Sequence, residues 1–398
     1  MSERDQRQKL HDLLESFLDC NPHPTGIEAL ERFLNARQTF SAPQKSDLEA
    51  TKERRYEYAL KIQAQVRKTL SSQVKVGKDE NREDKFEPFR LSATHVSTIL
   101  LVPMSALEEG GWLDCKLRSV ELHYNLELVV NLVKHFLTNT QAERDPASVA
   151  PAAREERLKC LRRDGFGCIF QHTEDSGVTS ILPSSWNDDL DAVYATIAVT
   201  EAFNAFFGDV LAAELCSLLA NQTELGSSNK YWNMLIMSRD LSHCWGQAGF
   251  GLYCKDIAPC EEHDESTDLA KVPFNVTIQF NWLRRRLKMP NDRITLEGDD
   301  NEFMKMVETQ IEYERDGSPR YKNNYGFPIE AVRVDTNTPI LSGHDFTITM
   351  PGEDAKKCKL MLDLQWVIIR IAAMSGAAGH PDVLPNHHDW IQAKLFGE

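Results

Sequence analysis

The sequence predicts an α+β protein that is mostly helical, and three stretches carry that prediction. Leu10, Leu13, Leu14, Phe17 and Leu18 recur at three-and-four spacing near the start, and Tyr56, Ala59, Leu60, Gln63 and Val66 continue the pattern beyond Pro43. Such spacing gathers side chains on one face of a helix, so a helical N-terminal region is expected. Asn275 to Trp282 alternates polar and apolar residues without a break, the period of a strand that turns Val276, Ile278, Phe280 and Trp282 to the core. Ala355 to Ser375 is apolar almost all round, through Leu360, Leu362, Leu364, Trp366, Val367, Ile368, Ile369 and Ile371, with Gly376 after it. A helix with no polar face belongs in the interior, and a glycine placed there stops it.

Between these anchors the elements follow in order. Ser71 to Glu87 is dominated by Lys, Asp, Glu, Asn and Arg, which leaves too little apolar surface to pack and predicts a solvated linker or loop. Leu122, Leu126, Val129, Val130, Val133 and Leu137 form one apolar stripe over 120–137, a further amphipathic helix. Asp145-Pro146 and Ala150-Pro151 mark a boundary, so the chain divides into 1–150, 151–285 and 286–398. Within the second segment, about Asp189 to Leu219 reads as a helical insertion in which Val193, Ile197, Phe203, Phe206, Phe207, Val210, Leu211, Leu215 and Leu218 supply a wide buried face.

Bulk properties narrow the function. The 398 residues carry a formal net charge of -15 and a pI near 5.3, so the average surface repels phosphate and nucleic acid is not an expected partner. The one dense basic run, Arg284-Arg285-Arg286-Leu287-Lys288, reads as a solvated strand end, with a phosphate contact or a nuclear signal as the alternative. A charged start and nine cysteines without a paired framework point to an intracellular chain, cytoplasmic or nuclear, with free thiols and no membrane segment. No Walker loop, dinucleotide glycine fingerprint or Gly-x-Ser-x-Gly elbow occurs.

The chemistry-bearing pattern is Arg162-Arg163-Asp164-Gly165-Phe166-Gly167-Cys168, then Thr179-Ser180-Ile181-Leu182-Pro183, then Asn233-Met234-Leu235-Ile236-Met237-Ser238-Arg239-Asp240-Leu241-Ser242-His243-Cys244-Trp245. It resembles the fungal branch of the HNH-nuclease-domain proteins, which read Arg-Asp-Gly-x-x-Cys, Ala-His-Ile-x-Pro and Asn-Gly-x-x-Leu-x-x-x-Leu-His-x-x-Trp. The likeness extends from about Arg154 to Ala378 and includes Ile278 to Leu283, Ile340 to Phe346, and the helix through Trp366. It implies a two-stranded hairpin followed by a helix around one divalent cation. The first His would activate water, the Asn would brace the connecting loop, and the last His would help hold the metal.

Laid on that motif, Ser180 stands on the first His, Asn233 keeps the Asn, and Ser242 stands on the second His. A serine hydroxyl has no pKa near neutrality and is a poor replacement for imidazole on a metal, so the resemblance implies a degenerate member that has lost nuclease activity. No cofactor is expected, and a divalent metal only if cleavage survives through His172, with Asp175 beside it, or through His243. Three tryptophans adjacent to the motif, Trp186, Trp232 and Trp245, suit either core packing or the walls of a small-molecule cleft.

Three functions therefore stand as expectations: a cleft reused for a small organic ligand, as a binder or as an enzyme of specialised fungal metabolism; a pseudonuclease that acts as an interaction module with an unknown protein partner; and a divergent metal-dependent endonuclease. Cys244, Cys254, Cys260 and His263 form a further, weaker grouping for zinc, and His387-His388-Asp389 reads as part of a docked or mobile tail.

Overall fold

The computed structural model describes residues 3–20, 41–73, 88–140, 151–260, 272–316 and 331–385. The charged linker beyond residue 73, the boundary at 141–150, His263 and His387-His388-Asp389 lie outside those residues. What is described is a mixed α+β fold of helices and small antiparallel sheets.

The largest sheet has three antiparallel strands in the order β3 (Phe250–Pro259), β4 (Pro273–Trp282), β7 (His344–Pro351). On the central strand β4, Val276, Ile278, Phe280 and Trp282 are all buried. The intervening Gln279 and Asn281 are buried as well, where alternation alone leaves them facing solvent. The reason is the segment 41–47, which covers that face: Gln279 donates to the Ser41 hydroxyl at 2.6 Å and the Ala42 carbonyl at 3.1 Å, and accepts from the Gln44 amide at 2.8 Å. A buried side-chain amide is tolerated because every polar arm is used.

The long helix at Gly352–Ser375 lies across this sheet and contacts all three strands. It approaches β3 so closely that a Cβ on Gly251 would stand 2.7 Å from a Trp366 ring carbon, so the strand must carry a glycine there. On its other side it meets helices from the N-terminal half. In chain order, the helices are α1 (Glu3–Cys20), α2 (Leu48–Gln73), α3 (Ala93–Leu101), α4 (Met104–Leu107), α5 (Ser119–Thr140), α6 (Pro151–Arg163), α7 (Leu190–Thr200), α8 (Asn204–Leu219), α9 (Arg239–Gly246), α10 (Glu302–Asp316) and α11 (Gly352–Ser375). One hydrophobic core runs from Leu48 to Leu384 and includes residues of all three predicted segments.

Local chemistry explains several of these helices. Arg55 of α2 is almost fully buried because its guanidinium donates to the carbonyls of Ile99 and Val102 at the end of α3, and to Asp47. A cation suits the negative end of a helix dipole. The α3 N-terminus is closed reciprocally: the Ser92 hydroxyl accepts from the His95 amide, and His95 Nδ1 accepts from the Ser92 amide. On α1, by contrast, Leu13, Leu14 and Leu18 of the apolar stripe are exposed.

The predicted insertion is helical, but its buried face is narrower than its composition suggests. At Gly208 the backbone is left-handed, with φ 69° and ψ 171°, a conformation that costs glycine little and breaks the phase between the two ends of α8. Past the break, Ala212, Leu215 and Leu219 face inward, while Val210 and Leu211, expected in the core, are exposed, Val210 at 82%. On α7, Val193, Thr196 and Val199 point inward and Leu190 and Tyr194 outward. The whole stretch, Leu190–Leu219, is by length and composition apolar enough to cross a membrane.

Candidate functional site

The motif begins where α6 ends. Arg163 and Asp164 form a buried ion pair, with Nε to Oδ1 at 2.5 Å and Nη2 to Oδ2 at 2.8 Å. The remaining donors of the guanidinium reach the carbonyls of Tyr231 at 2.9 Å and Met234 at 2.6 Å, and Asp164 accepts the Ile236 amide at 3.0 Å. Burial by itself would lower the Arg163 pKa, but the hydrogen bond and charge of Asp164 outweigh it and raise the value. The pair thus fastens the end of α6 to the backbone of β2 (Met234–Ser238). These are positioning roles, spent on each other and on the backbone.

β2 pairs antiparallel with β1 (Ser176–Ser180), and α9 follows β2 directly, its first turn capped by the Ser238 hydroxyl. The register brings Val178 opposite Ile236 and Ser180 opposite Met234. Paired residues of an antiparallel ladder share a face. Met234, Ile236 and Val178 pack with Cys160 and Leu161 of α6, so Ser180 belongs to the α6 face. Thr179 pairs with Leu235, and Leu235 and Met237 belong to the main core on the other face. There the Thr179 hydroxyl donates to the Ser242 hydroxyl of α9 at 3.2 Å.

Ser180 and Ser242, the two expected site residues, are therefore on opposite faces of the hairpin. Thr179 is the residue that meets Ser242. The signal for it was present in the sequence, as a third hydroxyl beside Ser180, but which of two neighbouring strand residues faces a helix depends on pairing register. Asn233 is fully buried: its side-chain oxygen accepts the Leu182 amide at 3.0 Å, and its nitrogen donates to the carbonyls of Leu182 at 2.9 Å and Ser228 at 3.0 Å. It ties the exit of β1 to the approach of β2.

The histidines lie elsewhere. His172 is half exposed, in a left-handed turn before β1, with Nδ1 3.6 Å from Asp335 Oδ2. Its pKa is lowered by burial and by Arg333, with Asp335 opposing. Ser176 pairs with Ser238 and Ser180 with Met234, so the turn that carries His172 leads into the start of β1, and Ser180 stands at its other end. Asp175 is exposed in the same turn. His243 faces solvent on α9, its Nε2 2.8 Å from the Gln247 side-chain nitrogen. None of these three is brought to Thr179, Ser242 or Asn233.

Trp186, Trp232 and Trp245, offered by the sequence as core packing or as cleft walls, are buried in the core. Trp186 stacks on His135 of α5, with ring centroids 4.9 Å apart, and Trp245 packs against Phe250 at 5.1 Å. These rings fill space between elements. The zinc grouping is also dispersed in character: Cys244 and Cys254 are buried thiols, each pushed up to about 12 chiefly by burial, while Cys260 is exposed at the end of β3. Among the described residues no group of three or more His, Cys, Asp or Glu side chains is placed to hold a metal ion.

The arrangement can brace a hairpin firmly and present a weak hydroxyl pair, Thr179 and Ser242, at its α9 face. It supplies no imidazole or carboxylate to move a proton at that point. Compared with known proteins, the chain matches no family model, no curated sequence and no solved structure.

Proposed function

We propose that this chain is a pseudonuclease of HNH type that serves as a protein-interaction module, with its hairpin and helix kept as a frame for the helical insertion. The observation that carries the reading is the contact between Thr179 and Ser242. On the resemblance Ser242 holds the second ligand position, and what it meets there is the neutral hydroxyl of Thr179, while Ser180, on the first position, faces away; a nuclease of this layout needs charge or imidazole nitrogen at that point. The exposed apolar residues of the insertion, Leu190, Tyr194, Val210 and Leu211, favour interaction over small-molecule chemistry, because they lie outside while the tryptophans that would wall a cleft are packed inside.

The test is incubation of the purified chain with single- and double-stranded DNA in magnesium, manganese or zinc. No cleavage above a metal-free control is expected, and His243→Ala should behave as the parent chain does. Cleavage abolished both by chelation and by His243→Ala would overturn the reading and restore the endonuclease.

A further inference from the structure

We propose that the outward face of α7 and α8 docks an amphipathic helix of another protein whose apolar stripe is flanked by lysines or arginines. This rests on the interaction-module reading and names the partner's chemistry. Leu190 and Tyr194 lie one turn apart on α7, and Val210 and Leu211 follow the Gly208 break on α8. All four are more than a third exposed, and residues four apart on a helix share a face. Around them stand the exposed acids Asp191, Asp209 and Glu214.

The charge around this face is one-sided. Along the insertion itself, from Asp189 to Leu219, the sequence contains five Asp and Glu residues and no Lys or Arg. An apolar surface rimmed by carboxylates recruits a helix with the opposite pattern, because apolar burial supplies affinity and complementary charge supplies steering and register. A second copy of this chain fits less well. It carries the same acidic insertion, and its one basic run is engaged at home: Arg284 with the Thr309 carbonyl, Arg286 with Asp292, and Lys288 with Glu302. A membrane fits less well too, since Asp191, Glu201, Asp209 and Glu214 interrupt the apolar stretch and anionic headgroups would repel them.

The experiment uses the full chain and three probes: an 18-residue helical peptide of leucine and lysine, its counterpart with glutamate for lysine, and vesicles of zwitterionic or anionic lipid. Fluorescence anisotropy measures binding to the parent chain and to two variants, Val210→Ser with Leu211→Ser, and Asp209→Lys with Glu214→Lys. Circular dichroism checks folding, and these exposed positions are chosen so that at least one variant keeps the parent spectrum. The lysine peptide should bind, weaken with salt, and lose at least tenfold in affinity in each folded variant, while the glutamate peptide binds at least tenfold more weakly. No binding of the lysine peptide, equal binding by the variants, partition of the chain into vesicles, or a chain dimer that Val210→Ser with Leu211→Ser dissolves would each overturn the proposal. Any of these leaves the pseudonuclease reading to stand or fall on the cleavage assay alone.

Discussion

The hairpin and the insertion it encloses use their residues in opposite ways. In the hairpin, polar side chains of the kind that do chemistry are turned inward and spent on backbone: Arg163 on two carbonyls, Asp164 on an amide, Asn233 on three backbone groups. In the insertion, four apolar side chains of the kind that build cores, Leu190, Tyr194, Val210 and Leu211, are turned outward. A region whose polar groups are saturated can only be a frame, whereas a region with unburied apolar surface still has free energy to gain from contact. On the proposed function, the hairpin contributes stability and the insertion recognition.

Breaking the frame should have the largest effect. Asp164→Ala strands a buried guanidinium, and removal of one partner from a buried pair costs about 3–5 kcal/mol. Urea titration should show that loss or no folded state at all, and a change below 1 kcal/mol would mean that the pair is not what holds α6 to β2. Next in size is Asn233→Ala, which leaves the backbone groups of Leu182 and Ser228 without their partner. Loss of about 2–3 kcal/mol is expected by the same measurement.

Acid should loosen the insertion before the hairpin. His135 stacks on Trp186, its Nε2 is 3.0 Å from the Thr196 hydroxyl of α7, and burial holds its pKa down to about 4 against an ordinary 6.5. An unfolded histidine takes up a proton more readily than this one, so stability is full above the ordinary value and declines as pH falls from about 6.5 toward 4. Between pH 7 and 5 the loss should be about 1–2 kcal/mol. That window also lies above the range in which Glu127, held low despite burial by His95 and His123, would contribute. Hydrogen exchange at pH 5 should show amides of α7 opening earlier than those of β2, and His135→Gln should remove about half of the pH dependence, because burial lowers the His344 pKa to about 4 as well and that residue titrates in the same window; uniform opening would erase the proposed contrast. The smallest effect is predicted for Val210→Ser, which should alter urea stability by less than about 0.5 kcal/mol, as exposed substitutions do, while it weakens docking.

The helices and the strand with a regular period were legible because periodicity is a local property. The stripe over 120–137 became α5, the alternation at 275–282 became the core of β4, and the apolar run before Gly376 became α11. The short α3 was not legible: Ala93–Leu101 is rich in β-branched residues and buried on every side, so neither propensity nor a polar face marks it as a helix. Asn233 was singled out from the motif, but Arg163 and Asp164 entered only as parts of a consensus, since nothing in their spacing says which carbonyls they reach.

By itself the sequence determined where the regularly patterned helices and the central strand lie, that the net charge is acidic, and that serines hold the positions which the HNH resemblance assigns to imidazoles. Only the tertiary structure decided which way those residues face. Pairing register turned Thr179 toward Ser242 and Ser180 away from it, the segment at 41–47 covered the polar face of β4, and the break at Gly208 sent Val210 outward. A repeat in the chain defines a face relative to its own axis, and only the neighbours packed against that axis determine whether the face meets protein or water.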